Sequence, residues 1–229
     1  ALDPDFLPAR TMAAHAHISM AFHRYAPPRQ VAERTREVCH AILSNMPHCA
    51  EALASRGFVT AVIHGDEKGF EDLERAVAIE PQNWFVLLYR GWALAGAGDF
   101  PGAILEMGRA RNRNAGPARL SGAYAYVMHC AGQTGAGLEM LRADEMLARS
   151  SSSEQSARSM LASWLNPHDE AIAAGWRVTE ALDGSPSMAV AYPYALARAG
   201  LREEASKALA AITRDDTMPP APMLLAPVL

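Results

Sequence analysis

Histidine and cysteine are the residues here whose chemistry would declare itself by spacing. His15, His17 and His23 cluster near the start, and the pairs Cys39-His40 and His48-Cys49 flank a break at Pro47. A zinc site asks for spacings such as C-x2–4-C with H-x3–5-H, because its ligands must converge on one tetrahedron. No such pattern occurs, and His17 and His23, six apart, share no helical face. These side chains read as ordinary helix residues. Two glycine-rich stretches, GAGDFPG at Gly96 to Gly102 and GQTGAG from Gly132, approach the dinucleotide fingerprint G-x-G-x-x-G. Pro101 stands at the third glycine of the first stretch, both follow helical sequence rather than a strand, and no P-loop lysine comes after either. His129-Cys130 belongs to no triad pattern that sequence reveals, and HExxH and GxSxG are absent. The expectation is a chain with no catalytic residues, no metal and no cofactor.

The bulk properties point the same way. The 229 residues are half hydrophobic, enough for a sizeable core, and the net charge is −4. That balance supplies no field for nucleic acid. The tightest basic cluster, Arg109, Arg111, Arg113 and Arg119, reads as a solvated helix end, where cations suit the last carbonyls. Three cysteines do not make a disulfide framework, so a reducing compartment, the cytoplasm, is expected. No apolar run approaches the roughly 20 residues a membrane helix needs, and no signal peptide opens the chain. ALDPDF without an initiator Met reads as a piece of something longer.

What positions these residues is a period of 34. Gly57 and Gly91 stand 34 apart, and so do Gly98, Gly132, Asn166 and Gly200 in succession. Glycine, then asparagine, best tolerates the left-handed conformation that ends a helix. Gly69, Ala103, Gly137, Ala171 and Ala205 form a column of small residues at the same step, Leu73, Met107 and Leu141 a bulky one, and Pro47 and Pro81 repeat the break. Each unit therefore reads as helix, glycine turn, helix, break. Small columns let two backbones approach, which offsets the cost of glycine within a helix, and Asp99 is placed to cap the helix after Gly98. Gly96 has no role in this pattern. Helices are expected near 7–24, 29–45, 50–63, 67–80, 83–96, 100–113, 117–131, 135–149, 153–165, 168–183, 187–199 and 202–213, with a kink at Pro193.

The unit LLYRGWALAGAGDFPGAILEMGRA resembles a tetratricopeptide repeat (TPR). Gly91 stands for the glycine of the first helix, Gly98-Asp99-Phe100 for the turn, Ala103 and Ala110 for the small residues of the second helix, and RAVAIEP, residues 75–81, for the closing segment. The resemblance covers residues 50–117 most closely and runs on to about 213; the first hairpin is stretched, since Pro4 and Pro47 are 43 apart. It implies an all-α, right-handed superhelix of about six antiparallel hairpins over residues 1–216, followed by a Pro-rich apolar tail, 217–229. ALDPDFLPAR and the expanded hairpin with APPRQVAERTREVCHAIL are similar to TPR regions that follow the winged-helix domain of bacterial transcriptional regulators, or class III nucleotide cyclase domains. That similarity implies a regulatory or oligomerising role, with any DNA contact made outside this chain.

Stacked hairpins line a concave face with their first helices. The residue after Gly57 begins a column Phe58, Trp92, Tyr126, Met160, Tyr194 at the 34-residue step. In the TPR family this column points into the groove, so the resemblance makes it a ligand stripe with Phe85, Leu88, Arg119 and His129 as neighbours. Packing between units is the competing role for the same aromatics. The function expected is an interaction module that takes a peptide or partner protein or associates with itself. The alternatives are a small-molecule sensor with a closed superhelical pocket and a structural assembly subunit. No membrane and no nucleic-acid partner is expected.

The tail TMPPAPMLLAPVL carries no charge, and its four prolines favour an extended path. Met223, Leu224, Leu225 and Val228 are expected to dock on the protein's own surface, its groove or a neighbouring chain, or to cap the last helix. Ending the chain at Asp216 should therefore change either the melting temperature or the mass in solution, read by calorimetry and light scattering; if neither moves, the tail docks nowhere.

Overall fold

Breaks at fixed steps cut the chain into helices of 8 to 18 residues. A computed structural model describes residues 7–22, 26–113, 118–147, 152–166, 168–181 and 190–212. The chain divides into two compact units, Ala1–Ala115 and Gly116–Leu229. The first holds α1 (Leu7–Phe22), α2 (Pro28–Asn45), α3 (Ala50–Phe58), α4 (Gly69–Ile79), α5 (Trp84–Gly96) and α6 (Phe100–Arg113). The second holds α7 (Ala118–Cys130), α8 (Thr134–Leu147), α9 (Ser152–Leu165), α10 (His168–Ala181), α11 (Ala191–Arg198) and α12 (Arg202–Ile212). No strand occurs among the described residues. The helices pair as α1/α2, α3/α4 and α5/α6 in one unit and α7/α8, α9/α10 and α11/α12 in the other. Within each unit first helices stack on first helices (α3 on α5, α7 on α9, α9 on α11), and second helices lean on the next first helix (α2 on α3, α4 on α5, α8 on α9, α10 on α11). This is solenoid stacking.

The turn column is left-handed throughout: φ is 86° at Gly98, 80° at Gly132, 69° at Asn166 and 83° at Gly200. The same hydrogen bond recurs behind three of these residues. The amides of Asp99, Gln133 and Leu201 donate to the carbonyls of Leu94, Met128 and Leu196 at 2.9, 2.8 and 3.0 Å, which closes the helix end. Asp99 caps α6 as expected, its Oδ1 accepting from the Gly102 amide at 3.0 Å. The α3/α4 turn departs by one residue. Its left-handed glycine is Gly65, with φ 69°, where the 34-residue step falls on His64. The cause is a π-helical turn at Val59–Ile63, which takes up an extra residue before the helix ends. Pro193 produces no kink in the described helix. α11 begins at Ala191, so Pro193 sits in its first turn, where a missing N–H has no intrahelical acceptor to lose.

The small columns bring the paired helices into backbone contact. A Cβ on Gly57 would lie 2.6 Å from the Gly69 carbonyl oxygen, and one on Gly91 would lie 2.7 Å from Met107 Cγ. Ala103, Ala171 and Ala205 are buried in the same seams, as are Leu73, Met107 and Leu141 from the bulky column. The core of the first unit gathers Leu53, Phe58, Val59, Leu73, Val86 and Tyr89, and that of the second Leu138, Leu141, Leu161 and Ala195. Charged pairs also brace the hairpins. Arg56 grips Asp72 through two bonds of 2.6 and 2.8 Å, and one step on Arg90 meets Glu106 at 2.8 Å.

Gly96 faces open space, with nothing within 4 Å of the place a Cβ would take, and its backbone is helical. Gly57→Ala should therefore lower stability by about 1–3 kcal/mol through backbone overlap, while Gly96→Ala should raise it by about 0.4–1 kcal/mol. Urea midpoints of the two variants check both signs.

Candidate functional site

In the first unit the aromatic stripe turns inward. Phe58 is 1% exposed and stacks on Tyr89 with ring centroids 4.8 Å apart. Phe85 is buried against Tyr89 at 4.4 Å and meets the edge of His15 at 5.0 Å. His15 Nδ1 lies 2.8 Å from the Tyr89 hydroxyl, and burial drives that phenol's pKa upward. α1, α3 and α5 thus fill this face with their own side chains, and Phe58 and Phe85 serve the core of the unit rather than an open groove. Leu88 and Trp92 are half-buried at its margin.

The second unit treats its part of the stripe differently. Tyr126 on α7 and Met160 on α9 are half-buried, while Tyr194 on α11 is buried. One turn further along the same helices stand His129, Trp164 and Arg198. The His129 and Trp164 rings lie 5.2 Å apart, and the Arg198 guanidinium is 5.0 Å from the centre of the Trp164 ring. Trp164 is nevertheless 47% exposed. It is held between an imidazole and a cation while leaving much of its surface to solvent. His129 Nδ1 pairs with the Thr134 hydroxyl at 3.0 Å, and Arg198 Nε donates to the Ser163 carbonyl at 3.4 Å, so both flanking groups are anchored. Burial moves the Tyr126 phenol up to about 12, and Cys130, which hydrogen-bonds to it, adds to the shift. Arg119 belongs to α7, but its side chain lies outside the described residues, as do Met223, Leu224, Leu225 and Val228 of the tail.

Trp164 and Arg198 escaped the reading of the sequence, although a signal for them exists. Trp164 follows Met160 by four residues and Arg198 follows Tyr194 by four, so each sits one helical turn along from a stripe residue. Among the described residues no group of three or more His, Cys, Asp and Glu is placed to hold a metal ion. His23 lies outside them. Gly96 to Gly102 runs from the end of α5 through the turn into α6, so it joins two helices. No described helix is long and apolar enough to cross a membrane. The site therefore offers a surface built from an indole, a cation and flanking aromatics, suited to non-covalent recognition.

No family model matches the chain, and no curated protein does. Solved structures do. PilF of Pseudomonas aeruginosa is 16% identical over 90% of this chain and 95% of its own, with a TM-score of 0.62. PilW, described as a widely conserved type IV pilus biogenesis factor, is 14% identical over 91% of this chain and 94% of its own, at 0.65. YrrB, described as a TPR protein with an unusual peptide-binding site, is 15% identical over 83% of this chain and 97% of its own, at 0.52. Identities this low carry the fold alone, and the fold is that of a TPR solenoid.

Burial lowers the pKa of His129 from the ordinary 6.5. Its folded value then lies below its unfolded one, so the stability it contributes is present above pH 6.5 and is lost as pH falls toward the folded value. An NMR titration should place its midpoint below that of an unfolded-chain histidine, and His129→Gln should soften the loss of stability on the acid side.

Proposed function

We propose that this chain is a non-enzymatic interaction module whose second unit binds a peptide or an extended segment of a partner protein. The observation that carries the reading is Trp164, exposed and braced between His129 and Arg198. Solvent-facing indoles held in one orientation lose little entropy on contact, and Trp, Tyr and Arg dominate binding hot spots. Tyr126 and Met160 extend the surface by one turn of α7 and α9. Arg198 has only a backbone carbonyl as hydrogen-bond partner among the described residues, which favours a ligand with a carboxylate beside an apolar or aromatic side chain. Arg119 would add a second cation on α7. YrrB, of the same fold, is described as having a peptide-binding site, which is consistent with this use.

The proposal extends to setting. The module would be the regulatory part of a larger bacterial regulator in the cytoplasm, and its net charge of −4 gives it no general attraction for nucleic acid. The apolar tail, with Met223, Leu224, Leu225 and Val228, would compete for the same kind of surface, in its own chain or a neighbouring one.

Selection from a displayed library of twelve-residue peptides tests the reading. Peptides that bind the full chain should lose about tenfold or more in affinity on Trp164→Ala, since anchor truncations cost at least about 1.4 kcal/mol. Arg198→Gln should weaken acidic peptides selectively, and Leu105→Ala, exposed on α6 in the other unit, should leave them unaffected. Undiminished binding by the Trp164→Ala chain would overturn the proposal.

A further inference from the structure

The breaks between hairpins in the first unit carry a second surface, on a different edge from the stripe. Two clefts open there, one hairpin apart, on either side of the loop that runs from Glu80 to Gln82. The first, about 460 Å³, is lined by Met46, Pro47, His48 and Cys49 together with Glu51 and Glu80. The second, about 260 Å³, is lined by Pro81, Gln82 and Leu87, with Arg109, Asn112 and Arg113. Pro47-His48 and Pro81-Gln82 hold equivalent places in successive hairpins, and the acidic and basic residues of the two clefts differ in sign, Glu51 and Glu80 in one and Arg109 and Arg113 in the other.

The surface is braced. Asn83 Nδ2 donates to Glu80 Oε2 at 2.6 Å, and Arg109 donates to the Pro81 carbonyl at 2.9 Å while bonding Glu106 at 3.0 Å. Glu51 and Arg113 form no ion pair among the described residues. Met46, 46% exposed, lines the acidic cleft itself, and Ile79, 37% exposed, immediately precedes the loop between the two clefts. An apolar centre between an acidic and a basic cleft is self-complementary under a two-fold rotation about the intervening loop. Such a rotation sets each copy's acidic cleft against the other's basic one, the isologous arrangement that closes a dimer.

We propose that this edge is a homodimer contact, in which Glu51 of one copy faces Arg113 of a second copy and Ile79 lies at the centre. The proposal does not depend on the peptide-binding reading of the second unit. The clefts are small, so the dimer is weak and depends on charge placement more than on area.

Sedimentation velocity of the full chain over a concentration series, at low and high salt, reads the association. The mass should rise toward a dimer with concentration, and salt should weaken the rise. Glu51→Arg alone, or Arg113→Glu alone, should leave monomers over the same range, with melting curves confirming that each variant folds. An equimolar mixture of the two should regain the dimer, because each reversed charge then meets its complement, and the doubly reversed chain should dimerise by itself. The proposal is overturned if the unaltered chain stays monomeric throughout. It is equally overturned if dimers survive both single reversals, or if neither the mixture nor the double variant recovers them.

Discussion

The solenoid depends on how closely the two helices of a hairpin approach. Their backbones meet at residues twelve apart: Gly57 against Gly69, Gly91 against Ala103, Ala125 against Gly137. Space at these crossings is nearly gone, since a Cβ at Gly137 would stand 3.2 Å from the Ala125 carbonyl oxygen. Where the column carries Ser159 instead, the hydroxyl is buried and donates to the Ala171 carbonyl at 2.7 Å, so the larger residue is accommodated by a hydrogen bond across the seam. Close crossing brings the bulky column (Leu73, Met107, Leu141) into the interior and sets where the exposed ends of the first helices emerge.

The charged braces follow from that geometry. Arg56 and Arg90 each reach a carboxylate sixteen residues on, across the hairpin, because the seam holds the helix surfaces at side-chain length. In the second unit Glu170 receives both Arg142 and Arg158, and those bonds hold its pKa below the usual carboxylate range despite the opposing effect of burial. Bidentate and shared guanidinium contacts of this kind resist sliding of one helix along the other. Arginines at the seams are engaged in this way, whereas Arg198 lies against the Trp164 ring and bonds the Ser163 carbonyl, and Arg113 lines the cleft beside Pro81.

Most of the helices were legible, and for a definite reason. A left-handed turn residue and a small seam residue are local demands, so they recur at the period of the hairpin and mark its ends. Eleven of the expected helices start within two residues of the observed ones; the start expected at 187 lies outside the described residues, and α11 is described from Ala191. The π turn at Val59–Ile63 was not legible, since VTAVI has no feature that separates it from α-helix. For the site, the column Phe58, Trp92, Tyr126, Met160 and Tyr194 was legible as a column but not as a surface.

By itself the sequence determined the repeat length, the turn residues, the seams and the all-helical class, because each is a short-range steric requirement written at one position per unit. Tertiary structure alone decided which aromatics face solvent. Phe58 and Trp164 are both large aromatics on first helices. Phe58 is enclosed because α1 and α5 send His15 and Tyr89 against that face, whereas Trp164 has His129 and Arg198 beside it and remains 47% exposed. Exposure depends on what neighbouring hairpins deliver, a property of residues up to 74 positions away in the chain that no local pattern encodes.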